Sequence, residues 1–347
     1  MSDEPELREP DQLEGVKLPE FQAEPIGHAA ARASLNAQLQ ERRLPGGVLI
    51  HGPRGIGKAT LAFDLARRIF RQTGDEAPEH IFAQVEAGAY PNLRVLRRRP
   101  RETGKGFYTV IRVEEVRELI DRLRKTRGRA GHRVVIVDAI DDCNLSSANA
   151  LLKILEEPPA DTLFLLISHR PGQLLPTIKS RCQQVALRPV SDRDVREVLM
   201  RDAPDADEAA LDRAVALAGG RPRRGFEALL MTDTGSLSAL KSWLDDPVRP
   251  PAAIHLAIAD TLGADRDGAT ARFAREMVLD WIAAEAKAAA GASARTRLAS
   301  ANELWDKAHA LFADADEYNL DARQTLIAVF DAIRRHVQSQ ASLTEPT

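Results

Sequence analysis

"HGPRGIGKAT", residues 51–60, decides the fold of this chain. Gly52, Gly57 and Lys58 match the spacing G-x-x-x-x-G-K, and Gly55 lies between them. The apolar run "GGVLIHG" (46–52) leads into the loop and reads as a short buried strand. "KATLAFDLARRIF" (58–70) leads out of it, with Leu61, Ala62, Leu65 and Ile69 at helical spacing. Glycines let backbone N–H groups turn inward around phosphates, the helix N-terminus adds its dipole, and Lys58 supplies a point charge. The strand and helix flanks argue against a merely Gly-rich turn.

Two positions depart from a working nucleotide hydrolase. The residue after the lysine normally gives Mg²⁺ a hydroxyl; here it is Ala59. Thr60 lies roughly 100° further round the helix, which turns its hydroxyl away from the metal. "RVVIVD" (133–138) ends in Asp138, the acidic residue expected to face the metal, but its neighbour is Ala139, where active ATPases usually carry a water-orienting Glu. Asp141 and Asp142 read as a solvated loop or as a cap for the following helix. With both the metal hydroxyl and the second carboxylate missing, the chain is not expected to be a competent ATPase alone. No cofactor is required, and any ATP or ADP binding is expected to be weak.

Outward from the loop, "NLRVL" (92–96), "RVVIVD", "DTLFLLIS" (161–168) and "QQVALRP" (183–189) read as further strands. The apolar face of "VEEVRELIDRLRK" (113–125) and the stretch "SSANALLKILEE" (146–157), stopped by Pro158-Pro159, read as helices between them. This alternation predicts a parallel sheet covered on both faces. After Pro189 only helices follow, at about 192–202, 207–218, 221–231, 236–244, 251–262, 267–291, 295–315 and 319–337. The predicted organisation is a disordered acidic tail (1–25), an α/β domain (26–189), a small helical lid (190–233), an all-α bundle (236–337) and a flexible tail (338–347).

Lys plus Arg number 48 and Asp plus Glu 51, a net charge of −3, so any nucleic-acid contact must come from a local patch. The Arg-rich stretches 97–101 and 122–133 offer such a patch or, more simply, a solvated charged face. Two cysteines, Cys143 and Cys182, cannot build a zinc cluster and fit buried thiols in a reducing, cytoplasmic setting. No apolar stretch is long enough to span a membrane, and the acidic N-terminus lacks the features of a signal peptide.

"NALLKILEEPP" (149–159) followed by "SRC" (180–182) carries a resemblance to the clamp-loader branch of the AAA+ proteins, covering residues 26–232. The resemblance implies a RecA-like AAA+ P-loop domain with a helical lid and a C-terminal collar for oligomerisation. It implies a subunit of the bacterial DNA polymerase III clamp loader. The other clamp-loader subunits, a gamma/tau ATPase and delta, would be its partners, with the sliding clamp and primed DNA reached through the complex. Gly52, Gly55, Gly57, Lys58 and Asp138 correspond to a degenerate nucleotide site, and Ser168 to the residue that senses the γ-phosphate. Arg223 corresponds to the lid's phosphate-sensing arginine, with Arg221 and Arg224 as alternatives. Arg181 of "SRC" corresponds to the arginine finger that reaches a neighbour's ATP site; on the arginine alone, a surface ion pair would be the simpler reading. Some family members carry a four-cysteine zinc module after the first helix; "RQTGDEAPEHIFAQVEAGAYPNL" has no cysteine, so no zinc is expected. The alternatives are a gamma/tau-like ATPase working in cis, which Ala59 and Ala139 oppose, and a small-molecule P-loop kinase, which has no need of a helical C-terminal third.

Overall fold

The computed structural model describes residues 9–10, 12–103, 106–125, 129–231, 234–264, 268–292 and 294–344. The chain divides into two compact units, residues 1–229 and 230–347. The first joins the α/β core and the three lid helices, which the sequence suggested as separate domains.

The first unit begins with α1 (Ala29–Gln40), β1 (Gly47–His51) and α2 (Lys58–Thr73). It continues through α3 (Pro78–Glu86), β2 (Leu93–Leu96), α4 (Val113–Arg124) and β3 (Arg133–Asp138). Next come α5 (Leu145–Glu156), β4 (Thr162–Ser168), α6 (Pro176–Lys179) and β5 (Gln183–Ala186). The five strands form one parallel sheet in the order β2-β3-β4-β1-β5. Side chains alternate across it. Val48, Ile50, Ile136, Leu165 and Ile167 point to the side covered by α1, α2 and α3. Leu49, Val135, Val137, Phe164 and Leu166 point to the side covered by α4, α5 and α6. Because both faces are buried, the strands read as continuous apolar runs.

Helix α3 occupies a stretch where the sequence shows little pattern. Pro78 starts it, and it buries Ile81 and Val85. Tyr90 then stacks on Phe70 at 4.1 Å between ring centroids. Aromatic and aliphatic packing thus holds the cysteine-free segment against α2. The lid comprises α7 (Asp192–Asp202), opened by a capping box between Ser191 and Asp194, α8 (Glu208–Ala218) and α9 (Pro222–Leu230).

Two terminal expectations are corrected. Of the predicted disordered tail, residues 9, 10 and 12–25 are ordered: Glu9, Leu18 and Gln22 are buried, and Pro19–Phe21 forms a 3₁₀ turn. Composition alone missed this because the segment is fixed by ion pairs and backbone contacts to distant residues. At the other end the predicted tail from 338 is helical as far as Thr344, since "VQSQASLT" contains no helix breaker.

The second unit is all helical: α10 (Gly235–Asp245), α11 (Ala252–Gly263), α12 (Ala269–Gly291), α13 (Arg295–Tyr318) and α14 (Ala322–Thr344). Trp243, Ile258, Phe273, Ile282, Phe312 and Phe330 are buried in it. Trp243 and Phe330 lie 4.9 Å apart, and buried His255 reaches Asp331 at 3.1 Å. No helix among the described residues is long and apolar enough to cross a membrane.

Candidate functional site

The loop 52–57 lies at the carboxyl end of β1 and opens α2, the position in an open α/β sheet where phosphates bind. Gly52 (φ +147°) and Gly55 (φ +81°) have backbone conformations that favour glycine, and each is also pressed by protein. A Cβ at Gly52 would meet Leu187 O at 2.3 Å, and one at Gly55 would meet Arg223 Cβ at 2.7 Å. Gly57 (φ +94°) stands at the N-cap of α2. His28 Nε2 lies 2.6 Å from Ile56 O and braces the loop from outside.

Lys58 is 97 % buried, with 3 % of its surface exposed. Its ammonium donates to Gly52 O at 2.8 Å and Pro53 O at 2.6 Å. Burial pulls its pKa down to about 7 against the opposing pull of Asp138 and Asp141; Arg221 and Arg54 lower it further. The same burial, with the nearby Lys58 charge, lowers His51 at the end of β1.

Asp141 does not sit in a solvated loop. Its carboxylate accepts from Ser168 Oγ at 3.0 Å, from His169 N at 2.6 Å and from Arg170 N at 3.0 Å. Ser168, fully buried at the end of β4, therefore directs its hydroxyl to Asp141. The helix cap is Asn144, whose side chain accepts from Ser147 N at 2.9 Å, while Asp142 pairs with Arg98 at 2.9 Å. A carboxylate holding three donors is ill suited to take a proton from water.

Arg223 lines the cleft beside the loop: its N donates to Gly55 O at 3.2 Å, and its Nε donates to Glu227 at 2.9 Å. Arg221 is close enough to depress Lys58 electrostatically. Arg224 is buried and runs past Gly219 at the end of α8. Arg181 stands apart from this group. It is exposed between α6 and β5, donates to Thr177 O at 3.0 Å and pairs with Glu156 at 2.6 Å.

The Arg-rich stretches are a solvated face only in part: Arg99, Arg101, Arg122 and Arg124 are exposed, while Arg97, Arg98, Arg129 and Arg133 are partly buried. Arg97 is nearly buried among Glu9, Glu20 and Asp138, Arg99 pairs with Glu118 at 2.9 Å, and Arg129 pairs with Glu76 at 2.6 Å. Arg133 donates to Leu123 O at 2.5 Å. These guanidiniums tie the unit together. The cysteines are free thiols, with Cys143 pushed up to about 12 and Cys182 to about 11 by burial.

The loop glycines and Lys58 suit the phosphates of a nucleotide. The metal half does not suit Mg²⁺: Ala59 offers no oxygen, and Asp138 faces the guanidinium of Arg97 at 3.6 Å. Sequence reasoning passed over Glu9, Glu20, Arg97 and His28. Only the separated arginine run and acidic segment hinted at the first three.

The parallel sheet, the phosphate loop that opens α2 and the helical lid define a P-loop α/β protein. Residues 27–191 match the family described as DNA polymerase III, delta subunit. The chain is 40 % identical over 178 residues to DNA polymerase III subunit delta' of Pseudomonas aeruginosa, a match covering 50 % of this chain and 52 % of that one. It is 29 % identical over 165 residues to subunit delta' of Bacillus subtilis, covering 47 % and 48 %. With DNA polymerase III subunit tau of Salmonella typhimurium it shares 30 % over 247 residues, covering 66 % and 37 %. Over about half its length the chain is thus similar to delta' subunits of DNA polymerase III. It spans about half the length of the delta-prime relatives it matches.

Proposed function

We propose that this chain is a delta-prime-type subunit of the bacterial DNA polymerase III clamp loader. It is largely inactive as an ATPase and supplies Arg181 in trans to the ATP site of a neighbouring gamma/tau-type subunit. Through the assembled loader, which also contains delta, it helps place the sliding clamp on primed DNA in the cytoplasm. Its own nucleotide site needs no cofactor and binds ATP or ADP weakly at most; no zinc is required. The α10–α14 bundle serves as its collar for assembly.

One contrast carries this reading. The would-be catalytic groups are engaged internally: Lys58 on its own loop carbonyls, Asp141 on three donors and Asp138 beside Arg97. Arg181, which corresponds to the finger, is at the surface. A guanidinium is permanently charged and forks onto phosphate oxygens, so it can act on another subunit's nucleotide whatever the state of its own loop. Such a finger is worth about 10³–10⁵ in rate in known phosphoryl-transfer systems.

The test is reconstitution of the loader with Arg181→Ala. Assembly should persist while DNA-stimulated ATPase and clamp loading fall at least roughly tenfold. If both activities stay at wild-type level, the finger assignment is wrong. Turnover by the isolated chain near one per second, abolished by Lys58→Ala, would instead favour an ATPase working in cis.

A further inference from the structure

A guanidinium faces Asp138, the acidic residue expected to meet a metal. Residues four apart overlie one another on a helix, so positions 59, 63 and 67 of α2 share one face. Ala59 heads that face. One turn on, the guanidinium of Arg97 lies 5.4 Å from the ring centroid of Phe63, with its Nε 3.6 Å from Asp138 Oδ2. Its two terminal nitrogens donate to the two carboxylate oxygens of Glu20, both at 3.1 Å, and Nη1 also pairs with Glu9. A further turn along, buried Arg67 donates to the main-chain oxygens of Glu20 at 3.2 Å, Gln22 at 2.7 Å and Ala23 at 3.2 Å.

We infer that Arg97 is this protein's built-in replacement for the metal cation, and that the acidic N-terminal segment is its ligand, strapped across the cleft by Glu9 and Glu20. Three carboxylates from two distant parts of the chain converge on one cation, as they would on a divalent metal. A guanidinium meets them in the bidentate geometry that carboxylates favour. Burial would lower the pKa of Arg97, but Asp138, Glu9 and Glu20 more than offset it, so the charge is permanent. The strap also reaches the lid, where Gln22 donates to Asp202 at 2.8 Å and Arg201 to Glu24 O at 3.1 Å. Glu9 and residues 12–25 are therefore a structural part of the cleft. This inference is independent of the finger assignment.

Removing Arg97 leaves Glu9, Glu20 and Asp138 facing one another, a set of oxygen ligands suited to a hard divalent cation. In the full-length chain, Arg97→Ala should therefore become cation-responsive. Its thermal midpoint should rise by roughly 3 °C or more when Mg²⁺ or Ca²⁺ replaces EDTA, while wild type does not move. Glu9→Gln with Glu20→Gln keeps the Arg97–Asp138 pair and should show no such response. In both variants trypsin should cut after exposed Lys17, within the strap, at least about tenfold faster than in wild type, because the population of the opened strap rises. The inference is overturned if Arg97→Ala responds to divalent cations no more than wild type. It is equally overturned if either variant is cut at Lys17 less than tenfold faster. Should Arg97→Ala prove too unstable to purify, the Lys17 cleavage of the double Gln variant decides alone.

Discussion

Replacing Lys58 by Met should abolish a rise in the stability of the α/β unit between pH 7 and pH 10, and the size of the effect follows from the burial of the ammonium. Unfolded, the lysine titrates near 10.5; folded, near 7. Between these values the unfolded chain binds more protons, so wild-type stability rises with pH at about 1.4 kcal/mol per unit. Below the folded pKa both states are charged and the penalty for burying the charge is complete. Above the unfolded pKa both are neutral and it has gone. The full penalty is on the order of 5 kcal/mol, of which about 3 to 4 kcal/mol should disappear between pH 7 and pH 10. Met is of similar length, has no proton to lose and so lacks this dependence. The hydrogen bonds that Lys58 gives Gly52 and Pro53 offset part of the penalty but do not create the slope. Tryptophan fluorescence is the wrong probe, because Trp243, Trp281 and Trp305 all lie in the second unit. Urea titrations followed by the methyl signals of Ile50, Ile136 and Ile167 report on the sheet itself. A wild-type minus Lys58→Met difference that is flat from pH 7 to pH 10 would refute a depressed, buried ammonium.

Two further outcomes follow from the same site. Asp141→Asn removes the charge that holds Ser168, His169 and Arg170, so the amides of His169 and Arg170 should exchange hydrogen about 10- to 100-fold faster, corresponding to one charged hydrogen bond of about 1.5–3 kcal/mol. Unchanged protection would show that the carboxylate does not order the end of β4. Gly55→Ala and Gly57→Ala both place a side chain at positive φ, which costs about 1–2 kcal/mol, but only at Gly55 does the new Cβ meet Arg223, at 2.7 Å. Thermal unfolding should therefore show Gly55→Ala to be clearly the less stable of the two, and equal midpoints would remove the packing role assigned to Gly55.

The sheet was legible because its strands are buried on both faces. "VLIH", "VVIVD" and "TLFLLIS" are uninterrupted apolar runs whose length and flanks fit strands better than helices. Helix α3 was not legible, since only Ile81 and Val85 mark its buried face and the aromatic that completes the packing, Tyr90, lies beyond its end. The candidate site divides in the same way. Loop glycines, Lys58 and Asp138 have local signatures, whereas the tasks of Asp141 and Arg97 depend on partners 27 or more residues away. Charge runs mislead for this reason: "RRRPR" looks like a solvated patch, yet Arg97 and Arg98 turn inward to Asp138 and Asp142.

The phosphate-loop motif persists here for reasons that do not require a phosphate. At Gly52 a side chain would strike the backbone oxygen of Leu187, and at Gly55 it would strike Arg223 on the lid. Both glycines are thus needed to close the core and seat α9, whether or not a nucleotide arrives. No packing contact demands a hydroxyl at position 59. Ala59 joins the apolar cluster under α2 and can replace Ser or Thr without disturbing the fold. The loop positions therefore sort by mechanical role: the glycines at 52 and 55 are fixed by packing, and position 59 is not. A loop of this kind identifies the architecture of a chain, while the residues at 59, 139 and 141 tell whether the architecture still hydrolyses anything.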